Sequence, residues 1–170
     1  MSIKELKFGL RKLSQEDLID LIVDLYHKNK KVKEQLDYHF NPNEPELVAY
    51  YKQKVLEAFF PKRGDTFYLK LGKQAISDFK KMKPSYNSLI DLMMYYVECG
   101  VELTLQYGDI NEGFYSSLES VYEEVMKLIS KYDLFDLFKD RAFEIVERTK
   151  NIGSGFHDYL ADVYGQTYSE

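Results

Sequence analysis

The chain has 170 residues, 45% hydrophobic and 30% charged, with a formal net charge of −5. That length suits one domain over 1–170, able to bury a core without covalent staples, and the composition is globular rather than disordered. A single cysteine, Cys99, excludes an internal disulfide and a cysteine-built zinc site.

A lone thiol suits a reducing compartment. Residues 1–13 alternate charged and apolar side chains and do not read as a signal peptide. No stretch approaches the ~18 apolar residues of a membrane span. The expectation is a soluble cytoplasmic protein with no membrane partner. Charge is unevenly divided: residues 1–83 carry 17 Lys+Arg and 12 Asp+Glu, whereas residues 84–170 carry 6 and 16. Such a split marks two faces with different partners, or halves that attract each other within a molecule or head to tail between two. The basic excess is too small to argue for nucleic-acid binding.

Ser2 with Glu5 forms a capping box, and Ile3, Leu6, Leu10 and Leu13 follow on one side. Ser14 with Asp17 opens a second helix, with Leu18, Leu21, Ile22 and Leu25 on one face. This helix is predicted to run through the basic stretch Lys28, Lys30, Lys31 and Lys33 to Phe40, and to stop at Asn41-Pro42. Asn43 and Pro45 start the next helix, whose stripe runs from Leu47 to Phe60 before the basic turn Pro61-Lys62-Arg63-Gly64. A helix over about 67–82 follows. The segment 86–107 is the most apolar, so it is predicted to be central, with Gly100 permitting a close neighbour and Gly108 as C-terminal cap. Helices over about 114–131, 135–150 and 156–168 complete the chain. Eight or nine helices with short loops imply an all-α fold of antiparallel hairpins, either a degenerate HEAT- or armadillo-like solenoid or an irregular bundle. No repeat holds residue by residue.

Chemical signatures are sparse. Asp24 and His27 form one short carboxylate–histidine pair, and no Glu-x-x-His occurs, so a di-iron site is not supported. His157-Asp158 follows Gly153-Ser154-Gly155 at a helix start, where free amides can hold an anion and a carboxylate can orient an imidazole; a capped helix end explains it more simply. Glu98 and Glu102, one turn apart in the most apolar helix, read either as a polar strip on a half-exposed helix, the commoner outcome, or as a charge network lining a cleft, with Lys62, Arg63, Lys73 and Lys80 as candidate cations. Lys62 and Arg63, with Asp78 and Lys80 one helix later, could hold a phosphate or an acidic partner, although a solvated turn is the commoner outcome. Cys99 sits in apolar company, as packing thiols do. No Gly-x-Ser-x-Gly elbow and no phosphate loop are present. Fifteen tyrosines suit a groove rim or the shoulder of a core equally.

Five phrases are informative as a set: Phe-Phe-Pro-Lys-Arg-Gly at 59–64, Ala-Ile-Ser-Asp-Phe-Lys-Lys at 75–81, Asp-Leu-Met-Met-Tyr-Tyr-Val-Glu at 91–98, Tyr-Gly-Asp-Ile-Asn-Glu-Gly-Phe-Tyr at 107–115 and Gly-Phe-His-Asp-Tyr-Leu at 155–160. Together they resemble a family of bacterial all-helical proteins known only as a domain of unknown function, over about residues 3–165. The resemblance implies bacterial origin and a helical domain standing alone, and it brings no activity, ligand or catalytic residue.

Function therefore reads as unknown, with a non-enzymatic protein-interaction or scaffold module leading and self-association included. No cofactor, metal or catalytic residue is assigned. The alternative is a small-ligand binder or enzyme using a cleft around Arg63, Glu98 and His157, its lining drawn from Lys62, Asp78, Lys80, Tyr95 and Asp158. Nucleic-acid binding by the basic half is the weaker third reading.

Overall fold

A computed structural model describes residues 1–64 and 66–168. Among them are nine helices and no strand: α1 (Ile3–Leu10), α2 (Gln15–Lys28), α3 (Lys30–Phe40), α4 (Glu44–Phe59), α5 (Leu69–Lys81), α6 (Tyr86–Tyr107), α7 (Glu112–Tyr132), α8 (Phe135–Arg148) and α9 (Phe156–Tyr168). They divide into two compact units, Met1–Asn43 and the chain from Glu44 onward.

In the first unit both capping boxes form. Glu5 N donates to Ser2 Oγ at 3.2 Å, and Ser2 N donates back to Glu5 Oε2 at 2.6 Å. Ser14 and Asp17 repeat the arrangement at 3.1 Å in each direction. The continuous helix expected through the lysine run is broken at Asn29. Its backbone is extended (φ −130°, ψ 108°), and its Oδ1 accepts from Lys31 N at 3.0 Å and Val32 N at 3.3 Å. One asparagine thus ends α2 and starts α3, since its short amide competes with the helical ladder and favours caps. α3 packs on α2, and Tyr26 donates its hydroxyl to Asp37 at 2.8 Å.

In the second unit the most apolar helix is central, as predicted: α6 packs against α4, α5, α7 and α8. Its buried side chains include Leu92, Met93, Met94, Tyr96 and Val97, all 0% exposed. At about 1.5–3 kcal/mol for each large apolar side chain taken out of water, this helix is the main anchor of the unit. An aromatic cluster surrounds it, with Phe59 edge-on to Tyr96 at 4.9 Å between centroids and Phe67 edge-on to Phe114 at 5.3 Å. Two buried hydroxyls of this core are satisfied: Tyr96 pairs with Ser117 at 2.9 Å, and Tyr122 donates to Ala142 O at 3.1 Å. Gly100 serves as expected. A Cβ built there would lie 2.4 and 2.5 Å from the two δ carbons of Leu118 on α7.

α5 begins at Leu69 rather than at Phe67, because Tyr68 N donates across to Ala58 O of α4 at 2.7 Å instead of entering a helical turn. α7 starts two residues earlier than its apolar pattern, where Asn111 caps it through Phe114 N at 3.0 Å.

Candidate functional site

Asp91 and Glu98 lie seven residues apart on α6, two turns along one face. Arg141 of α8 meets both. Its Nε and Nη2 donate to the two Glu98 carboxylate oxygens at 2.6 and 2.9 Å, a fork-to-fork pair. Its Nη1 donates to Asp91 Oδ1 at 2.5 Å, and Lys52 Nζ of α4 reaches the same oxygen at 2.8 Å. The Arg141, Asp91 and Glu98 side chains are 28%, 28% and 24% exposed, so the network is half-buried and weakly screened. One turn on, Glu102 accepts from Arg148. The partner of Glu98 is therefore Arg141, and not Lys62, Arg63, Lys73 or Lys80.

Glu98, Glu102, Arg141 and Arg148 line a cleft of about 300 Å³, closed on its apolar side by Leu56, Phe60 and Ile145. Burial works to raise the Asp91 pKa, but the bonds from Lys52 and Arg141 outweigh it and hold it below the usual carboxylate value. Burial alone would lower Arg141, and Glu98 and Asp91 more than reverse that, so the guanidinium stays charged. Cys99 and Tyr95 also line the cleft, and burial pushes each up to about 12. A thiol and a phenol held that high are protonated at neutral pH and offer no ready nucleophile or base. The arrangement clamps α4, α6 and α8 together and presents already paired charges to the cleft.

The other candidate residues are dispersed. Lys62 and Asp78 line a separate groove of about 470 Å³ beside Tyr68 and Leu71. Lys62 pairs with Glu57 at 2.9 Å, and Asp78 accepts from Lys81 at 2.9 Å and Gln74 at 3.0 Å. Arg63 is exposed in the turn after α4, and Lys80 bridges to Glu124 of α7 at 2.5 Å. His157 Nδ1 lies 3.2 Å from Val146 O and 3.0 Å from Thr149 Oγ1, against the C-terminal end of α8, while Asp158 is exposed in the first turn of α9. Tyr95 and Glu98 thus share the cleft and Lys62 and Asp78 share the groove. Arg63, Lys80, His157 and Asp158 line neither. Among the described residues no group of three His, Cys, Asp or Glu is placed to hold a metal ion, and Asp24 pairs with Lys28 at 2.8 Å.

Arg141 escaped the sequence reading, yet its signal was present. Residues 84–170 contain two arginines, 141 and 148, against 16 Asp+Glu, and that scarcity of cations is the signal. In the fold Arg141 takes Asp91 and Glu98 together, and Arg148 takes Glu102.

The apolar stripes of α1, α2 and α3 are also present, but none of their residues is buried. Ile3 is 74%, Phe8 63% and Phe40 80% exposed. Between α2 and α3 runs a groove of about 550 Å³, lined by Ile22, Val23, Tyr26, Leu36 and Phe40. Scattered apolar side chains on a surface need no explanation, whereas a contiguous set on adjoining helices marks an interaction site.

No helix among the described residues is long and apolar enough to cross a membrane. The model of a family described as of unknown function, DUF6155, matches residues 1–156, which includes the apolar helices of the first unit and stops within the last of the five phrases. Neither a curated protein nor a solved structure matches the chain.

Proposed function

Since the chain belongs to DUF6155, a family whose description carries no activity, its role has to be argued from its own surfaces, and we propose that it is a non-enzymatic protein-interaction module that docks partners on the apolar faces of α1–α3. The observation that carries this reading is the absence of any buried residue in those three helices, set against their run of exposed leucine, isoleucine, valine and phenylalanine side chains. A 43-residue segment with no side chain out of water lacks the burial that offsets chain entropy, so a bound partner supplies the missing contacts. The α2–α3 groove suits the helix-in-groove mode, with an amphipathic helix placing apolar anchors between Ile22, Tyr26, Leu36 and Phe40. The remaining helices act as scaffold, braced by the Arg141 network. A cytoplasmic setting and bacterial origin belong to the same proposal, the former supported by the single buried thiol.

The test is capture from the source cell, comparing the native chain with a variant carrying Leu6→Asp, Leu21→Asp and Ile22→Asp. Partners recovered by the native chain and lost by the variant, with the unfolding transition unchanged, support the module. Equal recovery by the two chains refutes it.

The second reading, small-ligand binding, rests on the cleft beside Tyr95 and Glu98. It is less favoured because Glu98 already holds Arg141 in two hydrogen bonds, so a ligand would have to displace a formed ion pair.

A further inference from the structure

Resting on the interaction-module reading, we infer that the partner on α1 and the outer edge of α2 is a second copy of this chain, paired about a two-fold axis. Ile3, Leu6, Leu10 and Leu13 recur at alternating steps of three and four along α1 and just past it. Leu18, Leu21 and Leu25 do the same on α2, on the edge that does not line the groove with α3. This is the seam pattern of helices that pack side by side along their length. Both seams are largely open: Leu6 is 43%, Leu13 41% and Leu25 45% exposed, while Leu10 and Leu18 are partly covered.

The charges beside the two seams are opposite. Around α1 stand Lys4, Lys7, Arg11 and Lys12 against one acid, Glu5. Along α2 stand Glu16, Asp17, Asp20 and Asp24, against Lys28 at its end. Within one chain α2 packs chiefly on α3, and neither α1 nor α2 buries a residue, so the match is left largely unused. Between two chains, a two-fold axis lays each basic α1 on the other's acidic α2, so one contact is made twice. The surface is complementary to itself, which an unrelated partner would have to match by coincidence. Complementary charge also fixes which way the seams align.

The test is light scattering coupled to size exclusion, from micromolar to several hundred micromolar chain, at low and high salt. The native chain is expected to dimerise with increasing concentration, and salt is expected to weaken the dimer. Leu6→Asp with Leu21→Asp is expected to abolish it. Reversing the basic side alone (Lys4→Glu, Lys7→Glu, Arg11→Glu) or the acidic side alone (Glu16→Lys, Asp20→Lys) should weaken the dimer roughly tenfold or more, and combining both sets in one chain should restore it. Unfolding curves and far-ultraviolet circular dichroism establish that every variant folds. A native chain that stays monomeric throughout overturns the inference, as does a dimer indifferent to the leucine changes or a combined reversal that fails to recover. A monomer that still loses captured partners on Leu6→Asp and Leu21→Asp overturns this inference alone and leaves the interaction module standing.

Discussion

Replacing Gly100 by alanine should destabilise the second unit, although alanine is the better helix former. In an exposed helix the exchange gains about 1 kcal/mol. Here the new methyl would sit 2.4 and 2.5 Å from the δ carbons of Leu118 and 3.0 Å from its γ carbon. Leu118 is 0% exposed and clashes through its whole branch, so turning one methyl away does not clear the space. Overpacking of this kind costs about 1–3 kcal/mol, and contacts this short belong at the upper end. The net effect is a loss of about 1–2 kcal/mol, or a few degrees of melting temperature for a chain of this size. Leu118→Ala alone should cost about 2–5 kcal/mol through the cavity it opens. In the double variant the alanine methyl at position 100 fills part of that cavity, so the combined loss should fall short of the sum. Urea unfolding followed by circular dichroism measures all four proteins of the cycle. A Gly100→Ala protein more stable than the native chain, or strict additivity in the double variant, would refute the argument that α6 and α7 meet through this glycine.

Arg141→Met should cost about 2–4 kcal/mol in the same assay, because Glu98 is left half-buried without its partner, and adding Glu98→Gln should recover part of that loss; an unaffected single variant would show the network to be idle. The lowered pKa of Asp91 sets the sign of an acid effect: its contribution is complete above the unfolded value of about 3.9 and is lost as pH falls through the lower folded value. The stability gap between the native chain and Asp91→Asn should therefore close as pH drops below about 4, and a gap that widens there would contradict the sign. Cys99, 4% exposed with its pKa pushed up to about 12, should resist an aromatic disulfide reagent at pH 8 and react only as the chain unfolds. Rapid labelling of the folded protein would show the thiol to be open.

Most helices could be read from residues whose preferences are local. Ser2, Ser14 and Gly108 act through backbone bonds a few residues away, Pro45 acts through its fixed φ in the first turn, and each occupies its expected place. Asn29 is equally local, but lysines on both sides hide it, and the apolar spacing from Leu25 to Leu36 does not reveal a change of direction. α6 could be placed at the centre because its composition leaves no wet face wide enough for the surface. Arg141 was less legible, since a lone arginine on an amphipathic helix is ordinary, and only the scarcity of cations beside the acids of residues 84–170 sets it apart. The dispersal of Lys62, Arg63, Lys80 and His157 depends on how helices cross, which periodicity does not encode. Periodicity identifies an apolar stripe and is silent on what covers it, which is why α1–α3 read like any core-facing helices.

Asn29 joins α2 to α3 with no intervening loop, serving both helices through one residue. Lengthening the chain at that point would separate the two roles and shift α3 from its place on α2. The groove that Ile22 and Tyr26 form with Leu36 and Phe40 would then lose one wall to solvent. Insertions should be better tolerated at Lys12–Leu13, in the turn between α1 and α2, than at this single amide.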